Sequence, residues 1–348
     1  MFQRICVPLD GSSRAERALP VASRIARTSR GSIVLLRVAA IPAEYAPAMY
    51  ASYVSATPFF AQELLETEQA EARSYLAALA QTETLAGLTI ETEAPIGAAA
   101  QTILDMAKGE HGQATDLIVL WSHGRTGFTR WVLGSVAQKV VRHSPVPVLI
   151  LREGFAELMD RLTEAARPLR ALVAVDGSRL AEAALVPAAQ LVAALAAPAQ
   201  GALHLAQVVT LPTLRSEQDY KQHDGEVREQ ALHEATTYLS AVADSLRNGV
   251  ATELGLKVTW SVTKNEDVAN ALIRMAELGE EAGTYEVQGC DLIAMATHGR
   301  GGLQRWMLGS ITERVLDGTK LSLLIVRPVE LNTSATSGQT KEESGERT

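Results

Sequence analysis

The feature of the sequence that most constrains the fold is an internal repeat. The stretch SHGRTGFTRWVLGS at residues 122–135 returns near the end of the chain as THGRGGLQRWMLGS at residues 297–310. Three more pairs match in the same order: ICVPLDGSSRAERAL (5–19) with LVAVDGSRLAEAAL (172–185), GSIVLLRVAAIP (31–42) with GALHLAQVVTLP (201–212), and VPVLILR (146–152) with LSLLIVR (321–327). Matching segments in one order indicate a tandem duplication of a unit of about 150 residues.

Two kinds of hydrophobic pattern alternate within each unit. Short runs that are apolar at consecutive positions, typical of strands buried on both faces of a parallel sheet, occupy residues 33–38, 117–121 and 146–151. Longer amphipathic stretches lie between them, at residues 14–28, 60–80, 98–109 and 135–143. The alternation predicts an α/β fold with two tandem doubly wound domains, each a five-stranded parallel sheet with helices on both faces.

The repeat also predicts the domain boundaries. We expect a first domain at residues 1–152, a linker at 153–168 and a second domain at 169–328. The second copy has two insertions, a long predicted helix at 217–245 and a segment at 278–289. The tail at 329–348 is polar and is predicted to be disordered. Because exposed apolar edge strands need a cover, the last strands of the two units should pair and make the chain a pseudo-dimer. A homodimer of chains stays open.

Composition and charge exclude some classes of partner. The net charge is -8 and the sequence pI is about 5.5, which argues against a nucleic-acid or anionic-membrane partner. No apolar run approaches the length that spans a bilayer. The two cysteines, Cys6 and Cys290, have no spacing typical of a zinc site or a disulfide framework, and we interpret both as packed thiols. We therefore expect a cytoplasmic protein.

Ligand chemistry is predicted where the strands end. Asp10 and Asp176 follow the first strand of each unit, and the repeated loops follow the fourth. In a doubly wound sheet these strands are neighbours, so each aspartate and loop should face one crevice.

The loops themselves have the chemistry of an anion site. Glycines let backbone N–H groups approach a phosphate, and a Gly-Ser pair then opens a helix whose N-terminus attracts negative charge. These residues are Gly124, Arg125, Gly134 and Ser135 in the first unit and Gly299, Arg300, Gly309 and Ser310 in the second. Neither a GxxxxGK[ST] nor a GxGxxG pattern is present, so the chain lacks a P-loop lysine.

These motifs resemble the universal stress protein family. The ATP-binding pattern of that family is Gly, two residues, Gly, nine residues, Gly, then Ser or Thr. The chain has the last part of it twice, as Gly124 and Gly299, each followed after nine residues by the Gly-Ser pair. The resemblance implies an adenine nucleotide alpha hydrolase-like fold and a stress-response regulator that binds ATP. AMP or another adenine nucleotide, and a magnesium ion on the phosphates, are also consistent with it.

The resemblance also implies roles for single residues. Asp10 and Asp176 would lie near adenine and ribose, Val38 and Val208 would line the adenine pocket, and the loop and Gly-Ser residues would bind the phosphates. No residue is predicted to be catalytic or to bind a metal directly. The histidines that recur, His123 and His298, are interpreted as stabilising the loops.

The first glycine of the family pattern is missing in both units. Trp121 replaces it in the first and Ala296 in the second. An indole at a strand end can fill an adenine pocket or stack on the base, so we expect the second unit to be the better site. A nucleotide-free scaffold and a slow ATPase remain alternatives. The plainest alternative for Asp10 is a structural turn, with Ser13 and Glu16 as a helix capping box.

Overall fold

The computed structural model describes residues 1–40, 59–110, 112–122, 133–155, 168–210, 224–282, 285–287, 289–298 and 308–328. Strands of the first unit are β1 (Arg4–Pro8), β2 (Ser32–Leu36), β3 (Thr89–Glu93), β4 (Leu117–Trp121) and β5 (Val148–Leu151). Strands of the second are β6 (Arg170–Ala174), β7 (Ala202–Val209), β8 (Lys257–Lys264), β9 (Glu280–Ala282), β10 (Tyr285–Val287), β11 (Leu292–Ala296) and β12 (Ser322–Val326).

Helices lie between the strands in both units. The first unit has α1 (Ser13–Glu16), α2 (Ala18–Ser29), α3 (Phe59–Ala80), a 3₁₀ turn (Glu83–Leu85), α4 (Ala99–Lys108) and α5 (Ser135–His143). The second has α6 (Arg179–Glu182), α7 (Leu185–Ala196), α8 (Asp224–Asn248), α9 (Val250–Glu253), α10 (Val268–Leu278) and α11 (Ser310–Gly318). The long helix expected at 217–245 is α8, and the second insertion contains the antiparallel hairpin β9–β10.

The main strands form one sheet of ten. Their order is β3-β2-β1-β4-β5-β12-β11-β6-β7-β8. Each unit contributes five strands that are parallel to one another, and the winding direction reverses between the first and fourth strand of the unit. The predicted fold, two tandem doubly wound α/β domains, is confirmed.

The two units meet at their last strands. β5 and β12 pair antiparallel, with Leu323 opposite Ile150 and Ile325 opposite Val148. The predicted pairing of the edge strands therefore occurs within one chain, and it covers two apolar edges that would otherwise be exposed. On one face of the sheet, α2 packs beside α7, where Thr28 Oγ1 donates to Ala194 O at 3.0 Å.

The pairing of α2 with α7 explains an unusual sequence. Helix α7 reads LVPAAQLVAALA and is apolar almost all round, because it is buried against the sheet on one side and faces α2 on the other. The segment Arg179–Ala196 has the length and composition of a membrane span, but 56% of it is buried inside the fold. The packing identifies it as a core segment.

The linker and the tail are mostly not described. Residues 156–167 of the expected linker and all of 329–348 lie outside the described residues, so the disorder expected for the tail stays a prediction.

Candidate functional site

The Asp-Gly-Ser turns close the first strand of each unit in the same way. Asp10 Oδ1 accepts hydrogen bonds from Ser12 N at 2.9 Å and Ser12 Oγ at 2.6 Å. Gly11 has φ +82°, a conformation that disfavours any residue with a Cβ. Ser12 Oγ in turn accepts from Ala15 N at 3.2 Å and caps α1. The helix cap is therefore Ser12, and the capping box expected from Ser13 is wrong by one residue.

The turn of the second unit repeats these contacts. Asp176 Oδ1 accepts from Ser178 N at 3.0 Å and from Ser178 Oγ at 2.6 Å. The structural role of the aspartate is thus real in both units. It orients each carboxylate at the carboxyl end of the central strand.

The Gly-Ser pairs lie beside these turns, at the N-termini of α5 and α11. Gly134 N donates to Ser122 O at 3.1 Å, and Gly309 N donates to Thr297 O at 2.8 Å. Gly134 and Gly309 are the N-cap residues, and as glycines they offer no side chain to accept from the first N–H groups of the helix. Ser135 and Ser310 are exposed at the helix start. Each helix start therefore presents donors and a positive dipole end to the crevice.

Much of the two repeated loops is not described. Residues 123–132 and 299–307 lie outside the described residues, and with them Gly124, Arg125, Gly299, Arg300 and His123. Their predicted contacts with phosphate stay predictions.

A cavity of about 420 Å³ opens at the carboxyl edge of the first unit. Four residues that the sequence selected are among those that line it: Asp10, Val38, Gly134 and Ser135. Apolar side chains form most of the remaining wall, among them Leu36, Ile103 and Leu120, and Arg37 and Glu68 add charge. A volume of this size and a mostly apolar wall with a few polar groups at one end are typical of small-molecule sites.

Trp121 does not fill this cavity. Its side chain belongs to the hydrophobic cluster of Leu117 and Val119, on the face of the sheet that α2 covers. The Arg17 guanidinium lies 5.6 Å from the centre of the indole ring, a cation–π distance. The tryptophan contributes to one wall, and the space that the ligand needs stays open. The reason for expecting a poorer site in the first unit is thus removed.

The second unit brings equivalent residues to the same edge. Asp176 begins the turn after β6, and Val208 is half-buried near the end of β7. Gly309 and Ser310 lie at the start of α11. Ala296, at the end of β11, is buried. Nearby, the Thr297 hydroxyl and His298 Nδ1 are 3.0 Å apart, which agrees with the local role expected for that histidine.

The sequence reasoning missed a tyrosine that flanks each crevice. Tyr75 Oη donates to Glu16 Oε1 at 2.9 Å in the first unit, and Tyr238 Oη donates to Glu182 Oε1 at 3.0 Å in the second. Burial, followed by the hydrogen bond to Glu16, raises the pKa of Tyr75. An alignment of SYLAALA with TYLSAVA would have found both tyrosines.

The described residues offer no ready metal site. Among them, no group of three or more His, Cys, Asp or Glu side chains lies close enough to hold an ion. A magnesium ion would therefore have to be held largely by the phosphates of a ligand. Both cysteines are buried, and burial raises the pKa of Cys6 to about 12.

The structure thus defines a doubly wound α/β protein with a cavity of small-molecule size where the winding of the first unit reverses. Residues 1–152 and 169–327 each match the Universal stress protein family, and the chain belongs to that family as a tandem of two units.

Individual relatives agree with this assignment. Universal stress protein YxiE of Bacillus subtilis is 31% identical over 152 residues, which cover 44% of this chain and 100% of that protein. A universal stress protein from Archaeoglobus fulgidus DSM 4304 has the same fold, with a TM-score of 0.61 at 20% identity over 93% of this chain and 98% of its own. A universal stress protein crystallised in complex with cAMP is 24% identical over 43% of this chain and 97% of its own, with a TM-score of 0.32.

Proposed function

We propose that this universal stress protein binds an adenine nucleotide, ATP in the first instance, and acts as a nucleotide-dependent regulator in the cytoplasm. The observation that carries the proposal is the cavity of about 420 Å³, whose wall brings together Asp10, Val38, Gly134 and Ser135. Cys6 and Cys290 are buried and form no disulfide, which fits a reducing compartment.

The two ends of the cavity suit the two ends of a nucleotide. Val38, Leu36 and Ile103 offer apolar surface for a base. At the other end, the N-terminus of α5 supplies backbone donors and a favourable dipole for phosphate. Asp10 also lines the cavity, and we propose that its carboxylate accepts a hydrogen bond from a ribose hydroxyl.

A scaffold that binds no nucleotide is the alternative from another class. The Asp-Gly-Ser turn and the Gly-Ser helix start would both form without a ligand. The scaffold alternative does not explain why the cavity stays open beside Trp121. Slow ATP hydrolysis is a further alternative, and it would need a water-orienting group, which we do not identify among the described residues.

The first experiment identifies the ligand. The protein is purified without added nucleotide and denatured, and the supernatant is analysed by mass spectrometry, with calorimetric titration of ATP into the emptied protein. We expect an adenine nucleotide to be released and ATP to bind. No release together with no heat on titration would contradict the proposal and favour the scaffold.

Two matched variants then locate the site. Gly134→Trp places an indole at the helix start of the first crevice, where the backbone has φ -59° and accepts any residue. Gly309→Trp does the same in the second. We expect Gly134→Trp to lose the nucleotide of the first crevice and Gly309→Trp to keep it, with unchanged circular dichroism in both. Retention of the full amount of nucleotide by both variants would show that the ligand lies elsewhere.

A further inference from the structure

The long helix that flanks each crevice carries one difference between the units that changes charge at the cavity wall. Equivalent hydrogen bonds, Tyr75 to Glu16 and Tyr238 to Glu182, fix the register of α3 against α8. Seven residues before each tyrosine, the first unit has Glu68 and the second has Ala231. A carboxylate in one unit thus corresponds to a methyl group in the other.

Glu68 lies in the wall of the first cavity that also contains Val38, where the proposed function puts the base. It is half-buried and lines the cavity together with Val38, Ala39 and Ala40. The neighbouring Gln69 Nε2 donates to Ala94 O at 2.8 Å, and Ala39 N donates to the next carbonyl, Pro95 O, at 2.8 Å. These bonds hold this turn of α3 beside the segment that follows β2, at the side of the cavity away from the α5 N-terminus.

The Glu68 carboxylate has acceptor capacity to spare. In the part of the chain that the structure describes, no hydrogen bond or ion pair involves Glu68. The cation that shares the cavity, Arg37, has its guanidinium 5.0 Å from the centre of the Tyr75 ring. An N–H donor on a ligand in the cavity would give this carboxylate a hydrogen-bond partner.

We propose that Glu68 is a specificity residue of the first crevice, whose carboxylate accepts a hydrogen bond from the exocyclic amino group of the base. The inference rests on the proposed nucleotide function and deepens it. A base with a carbonyl oxygen at that place would point an acceptor at an acceptor, and the crevice would reject it. The second crevice has Ala231 at this position, so it has no carboxylate with which to distinguish the two kinds of base.

AMP and IMP are matched probes for the proposal. They have the same ribose and the same phosphate and differ only in the base: AMP has an amino group at C6 and an unprotonated N1, whereas IMP has a carbonyl oxygen at C6 and a hydrogen on N1. Both are titrated into the Gly309→Trp variant, in which only the first crevice can bind. We expect AMP to bind about tenfold more tightly than IMP, the worth of one hydrogen bond to a charged group.

Substitution of Glu68 separates its role from general effects of charge. In the same background, Glu68→Gln can offer either an oxygen or an NH₂ group, so the preference for AMP should fall towards equality. Glu66→Gln is the matched control, since it removes the same charge from the same helix at an exposed position, and it should leave the tenfold preference intact.

Each outcome decides something different. A preference that survives Glu68→Gln would overturn the role of Glu68 and leave nucleotide binding standing. A preference lost equally in Glu66→Gln would overturn it too, because the effect would then be one of net charge. No binding of AMP, IMP or ATP to these variants or to the parent protein, with the proteins folded by circular dichroism, would overturn the proposed function itself.

Discussion

A histidine is buried in the middle of the second half of the sheet, at the position where the first unit has Val34. His204 lies in β7 with no exposed surface. Its Nδ1 is 2.9 Å from the Thr259 hydroxyl, and its Nε2 is 3.0 Å from the Ser261 hydroxyl. Burial, and then the charge of Arg170, lowers the pKa of His204 to about 4. The imidazole is therefore neutral in the folded protein at neutral pH.

We expect His204 to make the fold sensitive to acid. Because its pKa is lower in the folded than in the unfolded chain, the folded state binds fewer protons below about pH 6.5. The contribution of His204 to the free energy of unfolding is therefore fully present above that pH. It falls by about 3 kcal/mol as the pH falls towards 4. Urea unfolding at a series of pH values measures the loss.

A variant isolates the contribution of His204. The triple substitution His204→Val, Thr259→Val, Ser261→Ala removes the imidazole together with the hydroxyls that would be left without partners. Its stability should fall less between pH 7 and pH 4 than that of the parent protein. Equal slopes in the two proteins would assign the acid sensitivity to other groups.

The placement of Trp121 shows a limit of sequence reasoning at this scale. Side chains alternate between the faces of a strand, so residues 117, 119 and 121 were predictably on one face. A strand that is apolar at every position does not reveal which face carries the ligand crevice. The sequence therefore predicted that Trp121 ends a buried strand, and only the tertiary structure shows that its ring packs against the α2 side and forms a wall of the cavity without filling it.

At the scale of elements, both units break their first helix at the same place. The amphipathic pattern at 14–28 predicted one helix, whereas the structure has α1 and α2, and correspondingly α6 and α7. Pro20 and Pro187 explain the breaks. Each lacks the N–H that would bond to the carbonyl four residues earlier, Glu16 or Ala183. Both prolines are visible in the sequence, but the amphipathic periodicity continues through them and favoured a single helix.

The two Gly-Ser helix starts should differ in their tolerance of a methyl group. A Cβ on Gly134 would lie 3.7 Å from Ser122 O, an ordinary contact, whereas a Cβ on Gly309 would lie 3.0 Å from Thr297 O. Gly309→Ala should therefore destabilise the protein by about 1 kcal/mol more than Gly134→Ala. The loss of a glycine N-cap is common to both variants and cancels in the comparison. Chemical denaturation of the pair measures the difference, and equal midpoints would show that α11 shifts freely.

At the scale of the whole molecule, each unit contacts the other through an arginine as well as through its last strand. Arg152, directly after β5, is buried against the C-terminus of α11. Its Nη1 donates to Thr319 O at 2.7 Å and its Nη2 to Leu316 O. The equivalent Arg327, after β12, reaches towards α5, with its Nη1 3.5 Å from His143 O. Helix C-termini favour positive charge, so each unit stabilises the end of a helix of the other.

Sequence reasoning predicted the pairing of β5 with β12 but not the contacts of Arg152 and Arg327 with helices of the opposite unit. The match of VPVLILR with LSLLIVR placed an arginine after each last strand. Which helix it would reach depends on the antiparallel crossing of the two units, and no local pattern records that crossing. The asymmetry between a buried Arg152 and a half-buried Arg327 also arises from the packing of the units, since the two arginines hold equivalent places in the repeat.

These contacts between the units predict how the chain unfolds. One hydrophobic cluster contains Leu149 of the first unit and Leu324 of the second, and the sheet is continuous across the junction, so calorimetry should show a single cooperative transition. Arg152→Ala leaves two buried carbonyls without their donor and should cost about 3 kcal/mol. Arg327→Ala, at a half-buried place with a longer bond, should cost about 1 kcal/mol or less.

A different calorimetric trace would contradict this account of the junction. Two separate transitions in the parent protein would mean that the units fold independently and that β5–β12 pairing adds little. Equal losses for Arg152→Ala and Arg327→Ala would mean that burial of the guanidinium does not set its contribution. If Arg152→Ala instead splits one transition into two, Arg152 is the contact through which the units stabilise each other, and helix α11 links that contact to the Gly309-Ser310 end of the second crevice.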